Sequence, residues 1–120
     1  MAISEIYSGS GDQSSDTWQG GATLTDLGGL PVVTTPGIYQ VYLYLNILAG
    51  DTFVLTFEEK ITAGSTQQII YSATFGGVQS GVFVSPAFIL YHGWDIRLQQ
   101  TVIDQSFAGF TLEWSIRKIA

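Results

Sequence analysis

The only histidine of the chain, His92, is the residue with the clearest potential for catalysis. It lies in the segment YHGWD, residues 91–95, where Gly93 predicts a turn. A hydrolytic triad would need this imidazole beside an activated serine and a carboxylate. A turn histidine is more often hydrogen-bonded to nearby backbone. The sequence therefore favours a structural His92, and we expect no catalytic residues and no enzyme.

Two neighbouring carboxylates, Glu58 and Glu59, are the next candidates for acid–base chemistry. Both fall within a predicted strand, where successive side chains point to opposite faces. They cannot form the paired site that two-carboxylate catalysis needs. We predict that Glu59 is the one on the apolar face, with Arg97 or Arg117 as its partner, because a buried charge needs a counter-charge.

Metal sites are poorly supported by the residue types present. Asp12 and Asp16 lie in the polar segment GSGDQSSD, but their spacing does not match a calcium loop of the EF-hand type. The chain has no cysteine, and one histidine cannot build a standard zinc site. We therefore expect no metal and no cofactor.

Five aromatic residues form the candidate interaction surface: Trp18, Tyr42, Tyr44, Tyr91 and Trp94. Exposed aromatic rings mark protein interfaces or sugar-stacking platforms. The alternative is that both sheet faces are covered and the rings belong to the core. The low charge of the chain favours a protein interface. A sugar-binding groove would require Trp18, Tyr91 and Trp94 to lie together and exposed.

The composition limits the classes of partner. The 120 residues are 46% hydrophobic and only 12% charged, whereas about 25% is usual. The net charge is −6, so the cationic surface that nucleic acids require is missing. Apolar runs are far shorter than the roughly 20 residues of a membrane span. The first residues, MAISEIYSGSGDQ, lack the features of a signal peptide. We expect neither nucleic acid nor membrane as a partner.

Strands must position these residues, because apolar and polar side chains alternate almost everywhere after residue 36. The segment 37–48 places Tyr39, Val41, Leu43, Leu45 and Ile47 on one face. Further strands are predicted over 52–61, 66–75, 82–90, 94–101 and 109–119, with Pro86 at an edge or bulge. The strands over 37–48, 52–61 and 66–75 are expected to form a meander.

The expected fold is all-β: an antiparallel β-sandwich of about seven or eight strands with jelly-roll-like topology. One domain is expected over residues 1–120, with a sheet core over 38–119. The segment 8–37 is expected to be a loop-rich arm holding short strands at 22–24 and 30–34. Residues 2–8 could add a first strand.

Residues 37–119 resemble small virion-associated proteins of tailed bacteriophages. The segments that carry the resemblance are GIYQVYLYLNILAGDTF, EEKITAGSTQQIIYSATF, FVSPAFILYHGWDIRLQQT and EWSIRKIA. The resemblance lies in whole-segment pattern and covers about two-thirds of the chain. It implies a structural protein, such as a capsid decoration (cement) protein or a small component near a vertex or the tail, and it transfers no catalytic residues.

The resemblance also implies the partners and the location. The chain would contact the major capsid protein or other virion proteins, assemble as a homo-oligomer (a dimer or a trimer), and reside in the virion after synthesis in the host cytoplasm. Neutral surface and an acidic charge fit docking onto neighbouring subunits. The alternative function is a carbohydrate-binding β-sandwich at a fibre tip that adsorbs to the host.

Overall fold

The computed structural model of the chain describes residues 3–12, 24–29, 34–48, 50–102 and 110–120. These residues form two antiparallel sheets and no helix. None of them belongs to a helix long and apolar enough to cross a membrane. The strands are β1 Ser4–Asp12, β2 Leu24–Gly28, β3 Gly37–Ile47, β4 Thr52–Lys60, β5 Gln67–Gly76, β6 Gln79–Val84, β7 Phe88–Leu90, β8 Trp94–Val102 and β9 Phe110–Lys118.

The strands join in two orders that interleave the two halves of the chain. The first sheet has the order β1-β9-β3-β6, with β7 also paired to β3. The second sheet has the order β2-β8-β4-β5. Every pairing within these sheets is antiparallel.

The two sheets contribute their apolar faces to one hydrophobic core cluster. The predicted alternation is confirmed in β3, where the five inward residues are at most 3% exposed. It is equally confirmed in β8 and β9, and Phe53 of β4 meets Phe110 of β9 with ring centroids 5.0 Å apart. The buried set includes Tyr39, Val41, Leu43, Leu45, Ile47, Phe53, Leu55, Phe57, Trp94, Ile96, Leu98, Phe110, Leu112, Trp114 and Ile116.

The predicted meander is wrong, because β3 and β4 belong to different sheets. The connection between them carries Asp51, which is 1% exposed and accepts a hydrogen bond of 2.7 Å from Gln100 Nε2. β3 buries its whole inward row, and β4 buries Phe53, Leu55 and Phe57. Two such rows share a core when the strands lie in opposite sheets. The chain therefore changes sheets between β3 and β4.

Strict alternation would group Ile61 with Phe57, and Ile69 with Tyr71, on the faces that point to the core, but both isoleucines are exposed. The β4–β5 register shifts between Phe57 and Glu58, so that Tyr71 lies opposite Phe57 while Ile69 lies opposite Glu58. This bulge turns Ile69 outward, at 61% exposure, and leaves Ile70 packed against the core. Ile61 follows the end of β4 and is 61% exposed.

The loop-rich arm expected over 8–37 holds more strand than predicted. β1 continues to Asp12, and a strand lies at Leu24–Gly28. Of the strand expected at 22–24, only Leu24 is among the described residues. Residues 13–23 and 30–33, with the strand expected at 30–34 in part, lie outside the described residues. The segment SGSGD contains no alternating apolar residues, so its pairing with β9 was not predictable from the sequence. Gly9 is required there because a Cβ would lie 2.3 Å from Cζ2 of Trp114.

The strand predicted over 82–90 is divided by Ser85 and Pro86 into β6 and β7. Both strands pair with β3 and, within the described part of the chain, with no other strand. The predicted edge position of Pro86 is thereby confirmed. Ser85 maintains the contact across the break, since its hydroxyl accepts from Val41 N–H at 2.9 Å and its own N–H donates to the Val41 carbonyl at 2.9 Å.

Candidate interaction surface

Trp94, predicted at an exposed interaction surface, is instead a core residue with 0% exposure. Its ring lies 4.5 Å from the Tyr39 ring and 6.4 Å from the Tyr7 ring. Its indole N–H donates to the Thr35 carbonyl at 3.3 Å. The sugar-binding groove of Trp18, Tyr91 and Trp94 is therefore wrong as stated, because one of its three rings is inaccessible. Trp18 lies outside the described residues.

Tyr39 completes the packing around Trp94 and is a buried titratable group. Its hydroxyl donates a hydrogen bond of 2.6 Å to the Thr35 carbonyl. Burial of the Tyr39 hydroxyl away from solvent raises the pKa of Tyr39 above the usual 10.0, and the electrostatic effect of Tyr7 is the second cause. The neutral phenol is therefore the form that the fold stabilises.

Tyr91 and His92 form an exposed corner fixed by Glu59. Tyr91 is 62% exposed, and its ring packs edge-on against the imidazole of His92 at 4.8 Å. The Glu59 carboxylate accepts hydrogen bonds from the backbone N–H groups of Tyr91 and His92. The Glu59 carboxylate is thus the hydrogen-bond acceptor for backbone N–H groups of this turn, and it contacts the main chain of His92.

The two adjacent glutamates have separate roles, as their opposite orientation predicted. Glu59 lies in register with Trp94 and so has the inward parity that was expected. Its expected arginine partner is wrong, because backbone N–H groups occupy its carboxylate. Glu58 is the one that pairs with Arg97, at 3.3 Å, and Asp95 lies 3.5 Å from the same guanidinium. These charges lie on the outer face of the second sheet.

Tyr42 and Tyr44 lie on the outer face of the first sheet, as the alternation predicted, and both are half-buried. They line an open groove of about 530 Å³. Its other walls come from β1, β6 and β9. We call this the tyrosine groove, and it is lined by Glu5, Ser8, Gly9, Ser10, Tyr42, Tyr44, Val82, Glu113, Trp114, Ser115 and Arg117.

A line of polar contacts crosses the tyrosine groove from β3 to β1. The guanidinium carbon of Arg117 lies 3.8 Å from the centroid of the Tyr42 ring, a cation–π contact. Arg117 Nε donates to Ser115 Oγ at 3.1 Å, and the Ser115 hydroxyl donates to Glu5. These contacts hold the Tyr42 ring and order the groove before any partner binds.

The sequence prediction named the two tyrosines of the groove and omitted its charged residues. Arg117, Glu113 and Ser115 have the outward parity of β9, opposite Leu112, Trp114 and Ile116. The alternation of apolar residues in β9 was sufficient to predict that these three residues point outward. It did not predict that β1 lies beside them, because β1 has no alternating apolar residues.

The rim of the groove is apolar on the β6 side. Val82 and Val84 lie opposite Tyr44 and Tyr42 in the β3–β6 register and are 62% and 42% exposed. Polar and acidic side chains form the β1–β9 side. A groove with aromatic rings, an apolar rim on one side and polar groups on the other has the make-up of a protein-binding surface.

Metal-binding chemistry has no cluster to act on within the ranges described. No group of three or more His, Asp or Glu side chains in these ranges is placed to hold a metal ion.

Searches against protein-family models and against curated proteins found no match to this chain.

Proposed function

We propose that this chain is a structural protein of a virus particle, a capsid decoration protein that stabilises the virion through protein–protein contacts. The observation that carries the proposal is the tyrosine groove. Tyr42 and Tyr44 are spared from the core, since the opposite face of β3 already fills it. Aromatic side chains in an ordered groove are typical of interface centres.

The strand order supports the same class of protein. We propose that the two sheets form a jelly-roll sandwich, in which β6 and β7 count as one strand broken at Pro86. The orders β1-β9-β3-β6 and β2-β8-β4-β5 alternate strands from the two halves of the chain in both sheets. That interleaving arises when an antiparallel ribbon wraps around a core, which is the jelly-roll arrangement of many capsid proteins.

The proposed partner is the major capsid protein or another virion protein that presents a basic patch beside an apolar contact. Glu5 and Glu113 supply acidic groups along one wall of the groove, while Val82 supplies apolar surface on the other. A partner of that make-up would be attracted by the net charge of −6 and retained by the rings. Its location would be the virion, after synthesis in the host cytoplasm.

The test is binding to particles that lack this chain. Shells assembled from the major capsid protein of the same genome would be mixed with purified protein and sedimented. We expect co-sedimentation of the wild type and a loss of more than about tenfold in affinity for Tyr44→Ala, as for an interface anchor. Tyr91→Ala is the matched control, because Tyr91 is an exposed tyrosine outside the groove.

Circular dichroism must show that both variants remain folded. Equal binding by Tyr44→Ala and Tyr91→Ala would show that the groove is not the contact surface. Failure of the wild type to bind any shell or virion component would overturn the proposed function itself.

A further inference from the structure

Three neighbouring strands of the described part of the chain carry no charged side chain. From Ile61 to Trp94 the sequence contains no Asp, Glu, Lys or Arg. This stretch forms β5, the edge of the second sheet, and β6 and β7, the edge of the first. The two edges lie beside each other, because the Phe75 and Phe83 rings are 4.9 Å apart and the Tyr71 and Phe88 rings 5.1 Å apart. We call this side the neutral edge.

Exposed apolar side chains are concentrated on the neutral edge. Ile69, Val78, Val82, Val84 and Ile89 are between 42% and 76% exposed. Folded proteins seldom group such residues on an edge without protecting charges, because the open strand then invites pairing with another chain.

The other sheet edges are protected in recognised ways. β1 contains Glu5 and has a register irregularity between Glu5 and Tyr7. β2 has only five residues. The β6–β7 edge is interrupted at Pro86, which cannot donate a backbone hydrogen bond.

β5 lacks the charge of β1, the short length of β2 and the proline of the β6–β7 edge. It extends over ten residues, QQIIYSATFG, with neither a charge nor a proline. Within the described ranges it pairs with β4 alone, so its second row of backbone N–H and C=O groups has no strand beside it. Its one irregularity lies near Ile70, and the segment from Tyr71 to Gly76 is regular. β5 is thus a sheet edge open to a further strand.

We propose that β5 pairs with β5 of a second copy of this chain, antiparallel across a two-fold axis, so that the second sheet continues through a dimer. An antiparallel pair of identical strands is self-complementary, as a two-fold interface requires. With a net charge of −6, two copies repel each other over their acidic surfaces. The neutral edge is the side on which they approach without like charges in contact.

The paired strands would bring exposed residues of both copies together. Ile69, Ser72 and Thr74 are exposed positions of β5, and each would gain a cross-strand neighbour. Tyr71 and Phe75, half-buried in one copy, would be covered further by the second copy. The occupant is therefore an uncharged strand rather than the basic partner proposed for the tyrosine groove, and the dimer does not depend on the viral function.

The test places a charge on the open strand. Thr74→Lys adds a lysine at an exposed position of β5, the residue that natural edges use against pairing. Thr111→Lys is the matched control, since it makes the same change at an exposed position of the central strand β9. Sedimentation equilibrium would measure the mass of both variants and the wild type over a wide dilution series.

The wild type and Thr111→Lys are expected to reach twice the chain mass of 13.0 kDa. Thr74→Lys should weaken the dimer by more than about tenfold, because two lysines would meet near the axis. Hydrogen exchange of the wild type gives a second measurement, in which protection of the β5 amides rises with protein concentration.

Three results would overturn the proposal: a wild type that stays monomeric at all concentrations, equal dimerisation of both lysine variants, or a trimer, in which no strand can meet its own copy across a two-fold axis. Should Thr74→Lys fail to fold, concentration-independent exchange of the wild-type β5 amides would be decisive against pairing. Because particles are absent from these measurements, their outcome is separate from that of the capsid-binding test.

Discussion

Replacement of Trp94 by alanine should reveal whether this ring supports the fold or a binding surface. The ring is fully buried between Tyr39 and Tyr7, and its N–H is bonded to the Thr35 carbonyl. Truncation of such a side chain costs about 3–5 kcal/mol in lost transfer free energy and cavity formation. We therefore expect Trp94→Ala to lower the free energy of unfolding by about 4 kcal/mol.

The size of this loss decides what the assay will show. A chain of 120 residues has a free energy of unfolding of roughly 6–18 kcal/mol at 0.05–0.15 kcal/mol per residue. The variant should therefore still fold, but it should unfold at a lower urea concentration than the wild type. With a urea dependence of about 2 kcal/mol per molar, the transition followed by circular dichroism should move down by about 2 M.

Two variants separate the possible causes. Tyr91→Ala removes an exposed ring from the neighbouring turn and should cost less than about 1 kcal/mol. Trp94→Phe retains most of the buried apolar surface and loses the hydrogen bond to Thr35, so its cost should be intermediate. Equal urea midpoints for Trp94→Ala and Tyr91→Ala would refute the core position of Trp94 and reopen the sugar-binding surface.

Two further predictions concern Tyr39 and Gly9. Because burial raises the pKa of Tyr39, its contribution to stability is complete below the unfolded pKa of about 10 and is lost as pH rises through the higher folded pKa. Urea unfolding above pH 10 should therefore show a smaller alkaline loss in Tyr39→Phe, and identical pH profiles would contradict this. Gly9→Val should cost about 1–3 kcal/mol, since its Cβ would lie 2.3 Å from the Trp114 ring. Gly50→Ala, with no atom within 4 Å of the added Cβ, is the control, and equal losses would rule out the steric cause.

The strand faces were predictable because a period of two determines which side chains share a face. β3, β8 and β9 bury the residues that the alternation selected. The partners of each strand were not predictable, since the same alternation fits a hairpin and a crossing between sheets. The bulge beside Phe57 escaped prediction for a related reason, because Ile69 and Ile70 are both apolar and only the pairing decides which is buried.

The candidate surface was predicted in part. Tyr42 and Tyr44 were placed on the outer face of β3 by the alternation, and they lie there. Trp94 was assigned to an exposed patch because of its neighbours in the turn. Its position two residues before Ile96 and four before Leu98 put it on their face of the strand and indicated the core. The periodic signal was the more reliable of the two, because burial follows the parity of the strand.

The two proposed contact surfaces lie on different layers of the molecule. The tyrosine groove opens on the outer face of the first sheet, whereas β5 is the edge of the second. Pairing through β5 would leave both grooves of a dimer open. A capsid repeats the same subunit surface many times, so the second groove of a bound dimer would meet its site as an intramolecular step. Such a gain in avidity needs no additional contact. Weak binding by each groove would then suffice for stable attachment of the dimer to the capsid.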